Sequence, residues 1–222
     1  MKRAVLLLSL ACALAATATA TAGAARDPRL ERLALQPRDV AAAKRAVVQR
    51  SDLPAGWRQL GATPSTQEAP DCPGYRPDFS KFTVTGQAET TFASADQTRS
   101  IASRTEVYAS RSQARGDFAV STAPAVARCL GVLFERALTE QAGGIAVDVL
   151  TARRVAAPRL GERSAAYRIV VQVGSGARTV DMYVDVAVVL RGRSIGAVFF
   201  TGAFRPVPGR ATVLARVAAR LR

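Results

Sequence analysis

Four polar side chains in the last third of the chain carry groups that can move protons or hold a ligand. Two carboxylates beside a tyrosine and an arginine form a possible general acid and base set. On one face of a sheet, the same groups form an ordinary cross-strand ion pair, and the sequence favours that interpretation because no other chemical group converges on them. A polar patch that binds a ligand is a third interpretation. The four residues are Arg168, Asp181, Tyr183 and Asp185.

The neighbours of Arg168 depend on the register of a predicted hairpin. The letters GSGA separate two strand-like runs and predict a tight turn. Pairing Val173 with Arg178 across this turn sets Arg168 opposite Tyr183, with the two aspartates as diagonal neighbours on the same face. The sequence therefore predicts one polar cluster on this face of the sheet.

The chain contains no histidine, which removes much of the usual catalytic repertoire. Neither a Ser-His-Asp nor a Cys-His arrangement can form, and a His-ligated zinc or iron site is excluded. GSGA joins two predicted strands, whereas a phosphate-binding loop opens a helix. The sequence thus predicts a protein that is not an enzyme and carries no cofactor and no metal.

Trp57 is the only tryptophan and lies in the stretch SDLPAGWRQL, between a predicted helix and an extended segment. Its ring either caps the core where the helix turns into the first strand or lines a pocket for an apolar or sugar ligand. The sequence favours the core, and Trp57 remains a candidate ligand-binding residue.

The N-terminus has the order of a secretory signal peptide. Lys2 and Arg3 precede an apolar run over 4–16, and small residues follow. The run is shorter than the about 20 residues that span a bilayer. We expect a signal peptide at 1–25, a flexible lead-in at 26–37 and a single domain at 38–222, exported to the cell envelope or beyond, with no transmembrane segment after cleavage.

Removal of the signal peptide leaves two cysteines, Cys72 and Cys129. In an oxidising compartment, two cysteines predict one disulfide; the alternative is a pair of buried free thiols. Closing so long a loop contributes roughly 4 kcal/mol in the loop-entropy model.

The net charge of +14 comes from 31 lysines and arginines against 17 acidic residues. The arginines are scattered along the chain and aromatic residues make up only 6% of it, whereas a nucleic-acid groove needs clustered charge and stacking partners. We therefore expect no specific nucleic-acid binding, and a weak attraction to an anionic envelope.

Periodicity and turn residues predict helices and strands in the order α-β-β-β-α-β-β-β-β-α. Asp39 is expected to cap the first helix. Pairing Leu190 with Arg193 gives the last two strands an apolar face in register with the strand before them. This order predicts an α+β fold, an antiparallel β-sheet with helices packed on it. The predicted segments are a helix over 38–50, an extended segment from 57, strands over 82–92 and 101–109, a helical run over 110–138 broken at Pro124, strands over 146–155, 164–173, 178–190 and 194–203, and a helix after 208.

An early helix followed by DLPAGW, the paired cysteines and the late stretch GERSAAYRIVVQV…VDMYVDVAVVLRGRSIGAVFFTG resemble the actinobacterial extracytoplasmic sensor-like domains, the PknH-like extracellular or LpqN-like family. The resemblance covers about residues 38–222. It implies a PsbP-like α/β/α sandwich and supplies no catalytic residues. Some members of that family carry two disulfides, whereas this chain has cysteines for one.

Together these features predict a secreted, non-enzymatic ligand-binding or sensor-like domain of the bacterial cell envelope. Its partner would be a lipid or small apolar ligand held between sheet and helices, or an envelope protein docked on the surface. One alternative is a carboxylate-dependent hydrolase acting on envelope glycans. Another is a structural envelope-associated protein held by its positive charge.

Overall fold

The computed structural model describes residues 26–61, 69–141, 146–175 and 178–222. The predicted signal peptide at 1–25 and the glycines at 143 and 144, expected to stop a helix, lie outside the described residues. The strands are β1 Arg32–Leu33, β2 Trp57–Gln59, β3 Thr83–Ser94, β4 Arg99–Tyr108, β5 Ala146–Val155, β6 Arg163–Ser175, β7 Arg178–Arg191 and β8 Ser194–Ala203. The helices are α1 Pro37–Ala46, α2 Arg111–Ser121, α3 Val126–Gln141 and α4 Arg210–Arg220, with a 3-10 turn over Arg50–Asp52.

All of these strands belong to one sheet. Its order is β3-β4-β8-β7-β6-β5, and β1 and β2 both pair with β3 at the outer edge. The pairing is antiparallel throughout except between β1 and β3, which is parallel. The predicted α+β fold is confirmed, and most predicted strands and helices lie within two residues of their observed bounds.

Helices cover both faces of the sheet. On the first, which we call face A, α2 and α3 pack on a core that includes Phe118, Tyr167 and Val184. On the second, face B, α1 and α4 pack on a core that includes Phe200 and Leu214. The even-numbered apolar residues of β7 point to face A, while its odd-numbered ones point to face B, as the two-residue period of a strand requires.

The predicted register of both late hairpins is wrong by two residues. Ser175, not Val173, pairs with Arg178, and Arg191 pairs with Ser194. In the first hairpin the strands run closer to the turn than predicted, and in the second the two-residue turn lies one position later. Gly192 begins the second turn at φ 60°, a conformation that favours glycine. Because the slip is two residues, every side chain keeps its predicted face, but its cross-strand partner changes.

Asp39 does not cap α1, contrary to the prediction. The N-cap residue is Gln36, which makes no side-chain cap hydrogen bond. Asp39 is buried inside the fold and accepts hydrogen bonds from Thr85 Oγ1 at 2.5 Å and from both Nη atoms of Arg193, at 3.0 and 3.2 Å. Burial opposes its ionisation, but these hydrogen bonds outweigh burial and hold the pKa of Asp39 below its ordinary value. The carboxylate thus fastens α1 to β3 and to the β7–β8 turn.

The predicted disulfide is confirmed. Cys72 and Cys129 are bonded across a separation of 57 residues, which joins the segment before β3 to α3. Phe79 and Phe82 of that segment belong to the face A core, so the bridge lies on the face A side of the sheet. A disulfide of this kind is typical of proteins from an oxidising compartment.

Replacing both cysteines by serine should lower the free energy of unfolding by about 4 kcal/mol, because the unfolded chain regains the entropy of an open loop. Urea unfolding of the oxidised protein and of the double variant measures the difference. Reduced wild-type protein is the matched control and should behave like the variant. Equal stability of all three would show that the bridge adds nothing to the fold.

Candidate functional site

The middle of the sheet is only partly covered on face A. The strands β4 and β8 are central, yet several of their face A side chains keep contact with solvent, although α2 contacts both strands; α3 lies over β5 and β6. The result is a half-exposed strip of the sheet that we call the face A trough. Its floor is formed by Gln87 and Glu89 of β3, Ala102, Arg104 and Glu106 of β4, and Ala197 and Phe199 of β8.

The trough floor changes from polar to apolar across the strands. Cross-strand partners share a face, so these side chains form rows. One row runs from Glu89 through Arg104 to Ala197, and the rows on either side of it pair Gln87 with Glu106 and Ala102 with Phe199. Charged groups therefore lie on the β3 and β4 side, while the β8 side carries apolar groups that pack against the face A core.

Arg104 is the cation on the trough floor. Its Nε donates to Glu106 Oε1 at 3.0 Å, and its Nη1 lies 3.3 Å from Glu89 Oε1. Exposure falls from the mouth inward: the side chains of Arg104 and Glu89 are 32% and 29% exposed, and that of Glu106 is 12% exposed. The mouth of the trough, at Glu89 and Arg104, is thus more exposed than its inner end at Glu106.

Two more carboxylates surround this group. Glu31, in the segment before β1, is buried, and its burial together with the charge of Glu106 raises its pKa. Burial likewise raises the pKa of Glu89.

Asp117 of α2 lies at the inner end and is only 3% exposed. Burial, followed by the charge of Glu106, raises the pKa of Asp117 to about 7.

Asp117 is incompletely hydrogen-bonded. Ser121 Oγ donates to its Oδ1 at 2.8 Å. The Tyr108 hydroxyl has one proton and donates it to Glu106 Oε2 at 2.8 Å. Among the described residues, Asp117 Oδ2 is left without a donor.

A second buried polar atom without a partner lies on β6. The buried Tyr167 hydroxyl has no hydrogen-bond partner within the described ranges. Burial, and then the charges of Asp117 and Tyr167, raise the pKa of Tyr75 to about 12. Buried polar atoms are nearly always hydrogen-bonded, so Asp117 Oδ2 and the Tyr167 hydroxyl are both exceptions.

The other deeply buried aspartates are each held by arginine. Asp52 binds Arg220, with Nη2 and Oδ2 2.6 Å apart. Burial opposes its ionisation, but the hydrogen bonds from Arg220 and the Gln49 amide, with the charge of Arg220, together keep the pKa of Asp52 below its ordinary value. Asp39 is held by Arg193 in the same way. No arginine or lysine of the described residues forms a salt bridge with Asp117. Asp117 is therefore the exception in a strongly basic protein.

The polar cluster predicted from the sequence lies on face B, so the sheet separates it from the trough. Arg168 faces Asp185, not Tyr183, and its Nε and Nη2 donate to Asp185 at 2.7 and 3.2 Å. Arg210 of α4 adds a further contact at 3.2 Å. This is the cross-strand ion pair that the sequence favoured, and it also anchors α4 to the sheet.

The remaining members of that predicted cluster lie apart from the ion pair. Asp181 is opposite Gln172 and accepts a hydrogen bond from its Nε2 at 3.3 Å. Asp181 and Asp185 are four residues apart on β7, about 13 Å along a strand, and half-buried Tyr183 lies between them on the same face. That these residues bind a ligand stays a prediction.

Trp57 joins neither cluster. It is half-buried, pairs with Ser94 at the β2 edge and packs against the face B core that contains Leu53. Three strands lie between β2 and β7. At the usual strand spacing, Trp57 is therefore about 19 Å from β7, the strand that carries Asp185, the partner of Arg168. The packing agrees with the core interpretation, and a role in ligand binding stays a prediction.

Sequence reasoning missed the trough residues, although one signal was present. Ala114, Asp117 and Phe118 fall at i, i+3 and i+4, so a carboxylate occupies the apolar stripe of α2. A charge in such a stripe is either paired or functional. Glu31 gave no such signal, since it lies in the lead-in that has little periodicity.

A depression of about 660 Å³ lies beside the start of α2. Arg111, Arg191 and Arg222 line it together with Glu162. Glu162 is already engaged, because it accepts hydrogen bonds from Arg115 and from the Gly192 amide. We call this depression the arginine cleft; its charge is opposite to that of the trough.

Two further observations concern the described residues alone. No single helix there is long and apolar enough to cross a membrane; α2 and α3 together meet the length and composition but are bent by 68° to each other. No three carboxylate or thiol groups there are arranged to hold a metal ion. Comparison with family models and with curated proteins finds no match to this chain.

Replacing Asp117 by Asn should flatten the pH dependence of stability between pH 4 and 7. Because the pKa of Asp117 is raised from 3.8 to about 7, the folded protein keeps a proton that the unfolded chain releases. Stability therefore falls as pH rises through this window and is constant above it. Glu31 and Glu89 contribute with the same sign, so part of the slope should remain.

Urea unfolding at pH 5 and at pH 8 measures this effect, and the variant should gain stability relative to wild type at the higher pH. Asp148→Asn on the exposed face of β5 is the matched control and should leave the wild-type profile unchanged. Parallel profiles for the wild type and Asp117→Asn would mean that Asp117 is not protonated in the folded protein at pH 5.

Proposed function

We propose that this protein is an extracytoplasmic, non-enzymatic domain that binds a small ligand in the face A trough. One observation carries the proposal: the central strands of a large sheet stay half-exposed where polar and apolar side chains share one floor. A sheet that only needed to fold would cover this surface, since burial of apolar area stabilises the protein by about 25 cal/mol per Å².

An extracytoplasmic location has three supports. The N-terminal sequence has the pattern of a signal peptide, and the disulfide is typical of an oxidising compartment. The resemblance to extracytoplasmic sensor-like domains agrees with both. A sensor role in the cell envelope is part of the same proposal.

The mixed lining of the trough favours an amphipathic ligand. Small-molecule sites are concave, mostly apolar and furnished with a few polar groups that fix orientation. Phe199 supplies half-exposed aromatic surface, and Phe134 of α3 is another half-buried ring packed against the same core. Glu89 and Arg104 supply the polar groups at the mouth.

One observation also favours a second function, a carboxylate-dependent hydrolase of envelope glycans. The pKa of Asp117 near 7 suits a general acid, and Glu106 is a neighbouring carboxylate. Binding ranks first because Asp117 is almost fully buried, so a glycosidic bond cannot reach its oxygens without movement of α2. Hydrolysis of envelope glycan by wild type, abolished in Asp117→Asn, would reverse the ranking.

Filling the trough should abolish ligand binding. Ala197→Phe places a ring on the floor between Arg104 and Val188, while Val170→Phe places the same ring on a half-exposed site of face B. The fluorescent apolar probe N-phenyl-1-naphthylamine should bind the wild type and Val170→Phe equally, and Ala197→Phe at least tenfold more weakly. Native mass spectrometry of protein purified from its own host should show an added mass in the first two only.

Circular dichroism and thermal unfolding establish that both variants fold. Saturable probe binding that is identical in all three proteins would place the site elsewhere. A wild type that binds neither the probe nor a host molecule would overturn the proposal.

A further inference from the structure

We infer that the arginine cleft binds the phosphate group of a small, hydroxyl-bearing ester, such as a sugar or polyol phosphate. This is a second site, and it does not depend on ligand binding in the face A trough. The inference follows from three arginines that line one cavity, from the lack of a carboxylate partner for them in the described part of the chain, and from the polar character of the cavity wall.

Three separate segments bring the cations of the cleft together. Arg111 is the first residue of α2, Arg191 is the last residue of β7, and Arg222 follows α4. All three residues are exposed, so a ligand can reach them without movement of a helix or strand. Positive charge on the walls of a concave site attracts anions more strongly than scattered surface charge does.

Hydrogen bonds hold the segments that carry these arginines. The main-chain oxygen of Arg222 accepts from the Arg193 amide at 3.1 Å and from Ser194 Oγ at 2.8 Å. Arg191 Nη1 donates to the carbonyl of Ala218 in α4 at 3.3 Å. Because the ends of β7 and α4 are joined in this way, a ligand has less to order when it binds.

The three arginines are free to bind an external anion. Across residues 26–61, 69–141, 146–175 and 178–222, no carboxylate forms a salt bridge with any of them. Arg193 and Arg220, by contrast, bind buried aspartates. A guanidinium group has five N–H donors, so Arg191 keeps four after its bond to Ala218.

Glu162 is an acidic side chain on the wall of the cleft, and it is already compensated. The Gly192 amide donates to its Oε1 at 2.9 Å, and Arg115 Nη2 donates to its Oε2 at 3.0 Å. These two hydrogen bonds, with the charges of Arg115 and Arg111, hold the pKa of Glu162 below its ordinary value. Even when a main-chain carboxylate at Arg222 is counted with Glu162, four arginines stand against two carboxylates.

The number of arginines favours phosphate over carboxylate. Arginine binds either group through two parallel hydrogen bonds. A carboxylate has two oxygens in one plane, whereas a phosphate monoester has three acceptor oxygens that point in different directions. Arginines that come from three segments around one cavity match the tetrahedral group better than the planar one.

The size and polarity of the cleft describe the rest of the ligand. Its volume of about 660 Å³ lies within the range of about 300–1,000 Å³ that is usual for small-molecule sites. Leu221 lines the cleft but is only 2% exposed, so it offers little surface to an apolar group. Each oxygen of Glu162 has accepted one hydrogen bond and can accept another, which suits a hydroxyl group beside the phosphate.

Four probes test the class of ligand: glucose 6-phosphate, inorganic phosphate, glucarate and glucose, titrated calorimetrically in 150 mM salt at pH 7.5. Glucarate carries two negative charges and several hydroxyl groups but no phosphate, so it controls for general attraction to a basic protein. We expect glucose 6-phosphate to bind at one site, inorganic phosphate several-fold more weakly, glucarate at least tenfold more weakly, and glucose not at all.

Two substitutions locate the phosphate. Arg111→Gln and Arg191→Gln should each weaken glucose 6-phosphate binding at least tenfold. Arg153→Gln is the control for the loss of one charge, because Arg153 is exposed on β5 and forms no salt bridge with a described residue. Arg153 lies opposite Arg168, which lies opposite Asp185, and Asp185 is six residues, about 20 Å, along β7 from Arg191. Arg153→Gln should leave the affinity unchanged.

A lipid headgroup is a second source of the same chemistry. Vesicles of phosphatidylcholine that contain phosphatidylglycerol present a phosphate with neighbouring hydroxyl groups. We expect no sedimentation with them beyond that of Arg111→Gln and Arg191→Gln, because a phosphodiester leaves only two oxygens free. Vesicle binding that both variants lose, that Arg153→Gln keeps and that glucose 6-phosphate displaces would support the cleft as a phosphate site and assign it to a headgroup.

Circular dichroism and thermal unfolding show that the variants fold; if one does not, the other decides, since the two arginines lie on different elements. Glucarate that binds as tightly as glucose 6-phosphate overturns the phosphate class, and inorganic phosphate that does so overturns the ester. Equal affinity in the wild type and both cleft variants, or no binding of glucose 6-phosphate and vesicles to the wild type, overturns the inference as a whole. None of these results bears on the trough, which Ala197→Phe tests separately.

Discussion

Ion pairs between buried aspartates and arginines hold the face B helices on the sheet. Arg193 in the β7–β8 turn holds Asp39 of α1, and its Nη1 also donates to the Tyr108 carbonyl at 2.7 Å. Arg220 of α4 holds Asp52 in the turn that follows α1. Each pair joins segments distant in sequence, and removal of either partner would leave an uncompensated buried charge. The two helices can therefore shift only if a charge is left unpaired, which makes face B the rigid side of the protein.

The helices on face A are held to the sheet in a different way from those on face B. They are held by apolar packing around Phe118 and Leu138 and by the bond from Cys129 to Cys72. Apolar packing has no directional requirement, so these helices need not lie over the whole sheet: α3 lies over β5 and β6, while α2 contacts β4, β7 and β8. The half-exposed strip on β4 and β8 carries the pair of Arg104 with Glu106, and Asp117 of α2, which forms no salt bridge among the described residues, lies beside Glu106. The two faces of the sheet therefore differ in how their helices are held: by buried ion pairs on face B, and by apolar packing and the disulfide on face A.

The strands and helices of this fold could be predicted from the sequence because each depends on the local spacing of its apolar residues. The alternation in β6 to β8 identified strands and faces correctly, although the register was wrong by two residues at both hairpins. A slip of two preserves the face of every side chain, so the apolar pattern cannot detect it. The polar partners can: Arg168 lies opposite Asp185 in the true register, and pairing opposite charges would have selected that register from the sequence.

The trough could not be read in the same way, because no local period specifies it. Glu31, Glu106 and Asp117 come from the lead-in, a central strand and a helix, and only the sheet order β3-β4-β8 brings them together. One residue nevertheless conflicted with its own local pattern. Asp117 occupies the apolar stripe of α2, where an alanine or leucine would pack better and cost nothing. Natural sequences tolerate such conflicts mainly where function requires them. A carboxylate on the buried face of a helix is therefore the first residue to inspect when a sequence offers no catalytic motif.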